Sequence, residues 1–188
     1  MTENKNKQLD EITLSTESIY KGKIISVQVD TVKLPNGEES KREVVRHSGA
    51  VAVLAIHNDR MIVVEQFRQP LGRTQVEIPA GKLDPGEKPE DAINRELKEE
   101  TGYTAKSMKL LFSFYTSPGF ADEIIHLYLA DELTAGDAEL DEDEFLEVTE
   151  ITLEEAFAQI REGRMSDAKT IMAVQAWQLL KLGAQPGQ

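Results

Sequence analysis

The sequence contains no cysteine, and this absence excludes several kinds of chemistry. Without cysteine there are no disulfides, no cysteine-ligated zinc sites and no thiol catalysis, which fits a reducing compartment. The polar N-terminus, MTENKNKQLDE, lacks the apolar core of a signal peptide. No stretch approaches the ~18 apolar residues that a membrane span requires. We therefore expect a cytoplasmic protein that does not act in a membrane.

Basic residues are also scarce, since 21 Lys and Arg stand against 34 Asp and Glu, a net charge of -13. Nucleic acids and anionic membranes both bind to basic surfaces, so the balance argues against either partner. An anionic substrate must instead be bound by a few placed Arg or Lys residues and by metal. The 188 residues, 40% hydrophobic and 29% charged, suffice for one globular domain, or for one domain with a small appendage.

Alternating apolar and β-branched residues predict strands through most of the first eighty positions. Helices are predicted in the middle, between Pro89 and Gly102, and near the end, from Thr152 and from Asp167. The strands are predicted within residues 13–32, 40–47, 50–56, 61–67, 75–78, 110–115, 123–130 and 145–151. This mixture predicts an α+β fold, or an α/β/α sandwich.

Three carboxylates in the predicted central helix, Glu96, Glu99 and Glu100, follow the spacing i, i+3, i+4. At 3.6 residues per turn they share one helix face, where like charges repel. A divalent cation would relieve that repulsion, and Mg²⁺ prefers such hard oxygen ligands and shares its shell with substrate phosphates. Taken alone, the spacing also fits a solvated acidic helix face.

The residues around these glutamates favour the metal site. They complete the pattern G-x5-E-x7-R-E-U-x-E-E-x-G-U, in which U is apolar, and the sequence is therefore similar to the Nudix box. The matching residues are Gly81, Glu87, Arg95, Glu96, Leu97, Glu99, Glu100, Gly102 and Tyr103. Tyr103 is the one departure, because an aliphatic residue is usual there. It is still largely apolar and should pack.

The similarity extends beyond the box, to about residues 20–180, and resembles the ADP-ribose pyrophosphatase branch in its bacillus-type bacterial form. Glu77-Ile-Pro-Ala-Gly81 precedes the box, and Pro118 follows Tyr103 by fifteen positions; Glu65–Arg68 and Asp141–Glu144 also match. The resemblance implies a Nudix-type α/β/α sandwich with a mixed sheet over residues 46–185. It also implies antiparallel strands in residues 1–45 that serve dimerisation and the substrate site, and hence a homodimer.

The resemblance implies hydrolysis of ADP-ribose to AMP and ribose 5-phosphate with Mg²⁺, for which Mn²⁺ could substitute. Glu96, Glu100 and the Ala80 carbonyl are the expected metal ligands, and Glu99 is a further ligand or a support. Arg95 is expected to orient the carboxylates of Glu87 or Glu99. The general base is expected in the acidic loop after the box, and the candidates are Glu142 first and Glu144 second.

Five further residues are expected at the substrate. Arg68 and Arg42 offer bidentate contacts to phosphate oxygens, although surface salt bridges are the alternative for both. Glu77 is expected to accept a hydrogen bond from ribose or adenine, unless it is only a strand-end charge. Tyr20 is a candidate to stack on adenine, and simple packing is its alternative. Pro118 is expected to shape the loop that faces the terminal ribose.

Two other functions remain open at this level. A Nudix hydrolase for another nucleoside diphosphate, such as a sugar nucleotide or a dinucleotide, would carry the same fold and box. A Nudix-like ligand sensor belongs to a different class, and such proteins often lose box glutamates or gain a DNA-binding domain. This sequence keeps all the box glutamates and has no basic helical extension, which favours an enzyme.

Overall fold

The computed structural model describes residues 8–140 and 145–186, and these fall into two compact units. The first unit combines the N-terminal part, up to Ser48, with Tyr115–Glu123. The second combines Gly49–Phe114 with the part from Ile124 onward. Within the described residues, no helix is long and apolar enough to cross a membrane.

A three-stranded antiparallel sheet forms most of the first unit. Its strands, in spatial order, are β1 (Ile12–Lys21), β2 (Ile25–Lys33) and β3 (Glu39–His47). The β2–β3 connection is a tight turn, in which Gly37 has φ 91° and donates its N–H to the Leu34 carbonyl at 2.9 Å. The prediction of N-terminal antiparallel strands is confirmed.

A seven-stranded mixed sheet and three helices form the second unit. The main strand order is β10-β5-β4-β9-β8, with β6 paired to β5 and β7 paired to β4; β4 and β9 run parallel. The elements are β4 (Ala50–His57), β5 (Arg60–Arg68), a 3₁₀ turn (Gln69–Leu71), β6 (Arg73–Glu77), β7 (Ala80–Lys82), α1 (Pro89–Thr101), β8 (Thr104–Tyr115), β9 (Ile124–Thr134), β10 (Leu146–Ile151), α2 (Leu153–Arg161) and α3 (Ala168–Lys181).

The central strand β4 is buried on both faces, and its alternation builds two cores. Val51 and Val53 pack with Ile93 and other residues of α1. Ala52 and Leu54 point the opposite way, as successive strand residues must, and join the core that α2 and α3 cover. The sheet therefore lies between helices on both faces, which confirms the predicted α/β/α sandwich.

The ends of α1 follow the predicted signals. Pro89 occupies its first turn, and Gly102 ends it in the left-handed conformation, with φ 75° and its N–H donated to the Lys98 carbonyl at 2.8 Å. The strand after it was predicted too short, because β8 begins at Thr104 rather than at residue 110. Its first half is rich in lysine and polar residues, so it lacks a strong apolar alternation.

Candidate active site

The short strand β7 and the helix α1 come close together at Gly81 and Glu96. A β-carbon at Gly81 would lie 1.9 Å from the Glu96 carboxyl carbon and 2.0 to 2.2 Å from its oxygens. A side chain at position 81 would displace the Glu96 carboxylate, so glycine lets this carboxylate reach the β7 backbone. The glycine of the box thus leaves room for one of its glutamates.

Glu100 brings a second carboxylate to the same strand. Its side chain is buried, and one of its oxygens accepts a hydrogen bond from the Ala80 backbone N–H at 3.0 Å. Because Glu96 and Glu100 are one helical turn apart, they present oxygens side by side along Ala80-Gly81.

Arg95 binds three of the four glutamates of the box. It contacts both Glu87 oxygens at 3.1 Å, Glu96 at 2.8 Å and Glu99 at 2.9 Å. The hydrogen bonds with Glu87 are the largest cause of a raised pKa of Arg95, so the guanidinium stays charged. In this geometry, one cation joins the loop before α1 to the carboxylates on the helix.

The donor set fits a hydrated divalent cation. Among the described residues, no three acidic or histidine side chains converge into a closed metal cluster. An ion of the Mg²⁺ type keeps several waters and needs only one or two carboxylates from the protein. Glu96 and Glu100, with the Ala80 carbonyl, are the residues that would hold it. Glu99, turned toward Arg95, would support them.

Arg68 and Glu77 form a bidentate ion pair in the same unit. Arg68 Nε donates to Glu77 at 2.7 Å and Nη2 donates at 2.6 Å, and Lys169 of α3 donates to one of the same carboxylate oxygens. Burial raises the pKa of Glu77, but the hydrogen bonds from Arg68 and the charge of Lys169 outweigh it, so the pKa lies below its ordinary value. Glu77 is therefore an anion whose two oxygens are already bonded to protein cations.

Three other candidates lie in the first unit. Arg42 binds the Glu11 carboxylate with Nε at 2.9 Å and Nη2 at 2.5 Å. It also lines a hollow whose wall includes Gly119 and Phe120, the two residues after Pro118. Tyr20 on β1 is 56% exposed, and Pro118 is exposed as well. Arg42 and the Pro118 loop thus share one surface of the first unit.

Glu142 and Glu144 lie outside the described residues, but the segment before them is attached to α1. The Glu139 N–H donates to the Glu99 carbonyl at 3.0 Å, and its carboxylate pairs with Lys98 at 2.9 Å. Besides its positive φ, Gly102 lies close to this segment, because a β-carbon there would be 2.4 Å from the Gly136 carbonyl oxygen. The acidic loop therefore starts beside the last turn of α1.

Tyr103, the departure from the box, packs as expected and also makes polar contacts. Its ring lies against the α1 side of the sheet, while its hydroxyl donates to Glu150 of β10 at 2.7 Å. The same carboxylate oxygen lies 2.9 Å from His57 Nδ1. The Tyr103 hydrogen bond is the largest cause of a lowered pKa of Glu150, with His57 adding to it. A phenol thus joins the end of α1 to β10.

Sequence reasoning missed Lys169 and Glu150, because both pair over a long sequence distance. Lys169 is 92 positions from Glu77, and Glu150 is 47 positions from Tyr103. One local signal existed for Lys169. A cation in the first turn of a helix is disfavoured by the helix dipole, so it needs a carboxylate partner from elsewhere.

An acidic helix face presented to a glycine-containing strand, on an α/β/α sandwich, is an arrangement that suits a hydrolase with a divalent metal ion. Residues 46–174 match the NUDIX domain family, and residues 11–45 match the nucleoside diphosphate sugar hydrolase N-terminal domain. The chain belongs to the Nudix family, whose hydrolases generally use divalent metal ions.

Two relatives are equally similar to this chain. The ADP-ribose pyrophosphatase of Bacillus subtilis (strain 168) and the methanol dehydrogenase activator of Bacillus methanolicus are each 56% identical over 176 residues, covering 92% of this chain and 95% of the relative. The crystal structure of an ADP compounds hydrolase aligns with a TM-score of 0.81 over 92% of this chain and 95% of that one. At 22% identity, that likeness concerns the fold.

Proposed function

We propose that this chain hydrolyses the pyrophosphate of ADP-ribose and releases AMP and ribose 5-phosphate. The observation that carries the proposal is the assembled box, in which Glu96 and Glu100 lie along Ala80-Gly81 and Arg95 holds the other carboxylates. The Bacillus subtilis relative supports the substrate, since its similarity covers both the box and the N-terminal strands.

The proposed cofactor is Mg²⁺, with Mn²⁺ as a substitute, held by Glu96, Glu100 and the Ala80 carbonyl. A bound divalent ion supplies positive charge at the phosphates and makes bound water more acidic. Arg95 keeps the carboxylates oriented, and Glu99 supports them through the same guanidinium. These roles match what phosphoryl transfer asks of a protein, which is positioning and charge neutralisation.

The proposed general base is Glu142, with Glu144 as the second choice or as an extra metal ligand. The base takes a proton from water while the water oxygen bonds to a phosphorus atom. The bond from that phosphorus to the bridging oxygen breaks, and the electron pair leaves with the second phosphate. The attachment of Glu139 to Glu99 supports a base from this loop, because Glu142 lies only three residues beyond it.

Arg68 and Arg42 are the proposed phosphate ligands, Tyr20 the adenine contact, Glu77 a contact to ribose or adenine, and Pro118 the residue that shapes the ribose-facing loop. Both Glu77 oxygens already accept hydrogen bonds from Arg68 or Lys169. A hydrogen bond from the substrate would therefore share an oxygen with one of these cations. The hollow shared by Arg42, Gly119 and Phe120 supports grouping Arg42 with the Pro118 loop.

Residues 1–45 are proposed as the dimerisation and substrate-site region, and residues 46–185 as the hydrolase domain. The first strand supports a homodimer, because all of β1 is exposed. Its large apolar residues are each at least half exposed, which is a costly arrangement for a lone chain in water. They are Ile12, Leu14, Ile19 and Tyr20. Location in the cytoplasm stays a prediction.

A panel of nucleoside diphosphate compounds with Mg²⁺ in ¹⁸O-labelled water tests the activity. We expect ADP-ribose to be the best substrate, with the label in only one of the two products identified by mass. A sugar nucleotide or a dinucleotide as the best substrate would replace this proposal with the second candidate, to which the N-terminal family match also points. Binding without hydrolysis of any compound would favour a ligand sensor.

The Bacillus methanolicus relative points to a second function, because it is as similar as the pyrophosphatase over the same length. Activation of a methanol dehydrogenase is tested by adding this protein, with Mg²⁺, to that enzyme and measuring alcohol oxidation. The Glu96→Gln variant is the comparison, since it shows whether activation needs the hydrolase site. An unchanged dehydrogenase rate would exclude this function.

A further inference from the structure

Glu77 is a buried carboxylate shared by two cations that come from different elements. Its side chain is 3% exposed, Lys169 is 12% exposed and Arg68 is 38% exposed. Arg68 reaches Glu77 from the end of β5, and Lys169 reaches it from the first turn of α3. The cluster therefore has an inner cation, Lys169, and an outer cation, Arg68, on either side of one anion.

Lys169 is itself fixed by the start of its helix. Asp167 accepts a hydrogen bond from Lys169 Nζ at 2.9 Å and another from the Thr170 N–H at 3.0 Å. The buried Thr170 hydroxyl accepts the Ile78 N–H at 3.1 Å, directly after Glu77. These contacts hold α3 against the end of β6, whose last residue, Glu77, is three residues before Ala80.

The outer cation, Arg68, also interacts through its charge with a second carboxylate, Glu100. The hydrogen bonds with Glu77 are the largest cause of a raised pKa of Arg68, and the charge of Glu100 also contributes. Arg68 donates hydrogen bonds from Nε and Nη2 to Glu77. Within residues 8–140 and 145–186, its Nη1 has no hydrogen-bond acceptor. The edge of the guanidinium with Nε and Nη2 is thus bound to Glu77, while Nη1 is available to an anion.

We propose that Lys169 is a positioning residue for Arg68 and acts through Glu77. The inference rests on the proposed role of Arg68 as a phosphate ligand. A buried carboxylate must satisfy both of its oxygens. With Lys169 present, Glu77 keeps one orientation, and the guanidinium it binds keeps one orientation too. Without Lys169, both Glu77 oxygens still accept from Arg68, but the carboxylate loses its bond to α3, so Glu77 and Arg68 turn together.

A purely structural salt bridge is the competing explanation. Buried ion pairs are weak evidence for stability, and removing one partner destabilises a protein wherever the pair lies. The two explanations differ in what a loss of Lys169 changes. A positioning residue alters substrate binding through Arg68, whereas a structural pair alters the melting temperature and leaves the binding of folded protein unchanged.

The test compares Lys169→Met with Arg68→Ala and with the double variant, each with Mg²⁺. We expect Lys169→Met to raise KM for ADP-ribose about 10-fold while kcat changes less than about threefold, a coupling within the range measured for contacting residues. The Kd of non-hydrolysable α,β-methylene ADP-ribose, measured by calorimetry, should rise by the same factor. In the Arg68→Ala background, Lys169→Met should raise neither value further.

Lys181→Met is the matched control, because Lys181 lies on the same helix and pairs with a carboxylate, Asp59. It should leave KM and Kd unchanged. If Lys169→Met does not fold, Lys169→Gln keeps a donor for Glu77 and should raise KM by a smaller factor. Unchanged KM and Kd in a folded Lys169 variant, or effects that multiply with those of Arg68→Ala, would overturn the proposal.

The substrate of the wild type tests the proposed function, and the double-variant cycle tests the role of Lys169, so the two can fail separately. If the wild type hydrolyses another nucleoside diphosphate instead of ADP-ribose, the function proposal fails, and the same double-variant cycle is run with that compound. If the wild type hydrolyses none of the panel, both proposals fail. If it hydrolyses ADP-ribose and the cycle shows independent effects, only the role of Lys169 is wrong.

Discussion

The two units of this chain differ in how much of their apolar surface is buried. In the second unit, β4 and β5 are nearly enclosed between two helical layers, and Met61, Ile62 and Val63 have no exposed surface. In the first unit, β1 is exposed along its whole length. The sandwich thus completes its own core, whereas the N-terminal sheet offers apolar surface without covering it.

Charged side chains follow the same contrast. In the sandwich, buried Glu77 and Glu100 are held by specific donors, as low-dielectric surroundings require. In the first unit, Arg42 and Glu11 pair at the surface, where an ion pair adds little stability. The difference teaches that the sandwich holds its buried charges in fixed contacts, whereas the exposed β1 leaves apolar surface available for further contacts. Four predictions test this contrast.

The largest effect on kcat is expected from a substitution in the sandwich. Glu96→Gln removes a proposed metal ligand while keeping the shape that Gly81 accommodates, so kcat should fall about 10³-fold. The melting temperature should change little, and circular dichroism should be that of the wild type. Glu154→Gln, an exposed substitution on α2, serves as the control. Activity within tenfold of the wild type would remove Glu96 from the metal site.

The next effect concerns the acidic loop of the second unit. Glu142→Gln should lower kcat by about 10²-fold or more, the scale of lost general-base catalysis. The control is Glu139→Gln, which loses only a surface pair with Lys98. Steady-state kinetics and a pH–rate profile measure both variants. A near-wild-type kcat would exclude Glu142 and direct the same test to Glu144.

The third prediction addresses the exposed sheet. Leu14→Asp places a charge on β1, and a charge buried without a partner in a dimer interface is costly. We expect light scattering to give 21.0 kDa rather than twice that value, and KM to rise about 10-fold because the site loses the second chain. Leu182→Asp is the matched control, since it is exposed and follows α3. A wild type that is already monomeric would contradict the dimer.

The smallest effect is expected where α1 joins β10. Tyr103→Phe removes the hydrogen bond to Glu150 and should lower the free energy of unfolding by about 1 kcal/mol at neutral pH. The lowered pKa of Glu150 means that its contribution is complete above the ordinary value of 4.5 and decreases as pH falls through the folded-state pKa. The difference between variant and wild type should therefore shrink in acid.

Denaturant titrations at pH 7 and at pH 3.5 measure this difference. Tyr103→Leu restores the usual aliphatic residue of the box and removes the ring as well as the hydroxyl. Comparing it with Tyr103→Phe separates the contribution of the hydroxyl from that of the ring. Equal stabilities of Tyr103→Phe and the wild type at pH 7 would show that the hydroxyl contributes nothing. A difference that grows in acid would contradict the assigned direction of the Glu150 pKa.

The sequence by itself determined much of this protein. Local signals set the ends of α1 at Pro89 and Gly102, and the apolar residues 50–56 predicted the strand β4, because both depend on near neighbours. The box predicted which carboxylates would gather, since residues one helical turn apart share a face. The family followed from the same residues.

Only the tertiary structure decided which distant side chains meet. It gave Glu77 two cations where a free acceptor was expected, and it gave Tyr103 a carboxylate on β10. It also showed that glycine at position 81 leaves room for the Glu96 carboxylate, which comes from another element. Spacing within a helix or strand can be read along the chain. Contacts between elements depend on how the layers pack, and one sequence read alone does not contain those distances.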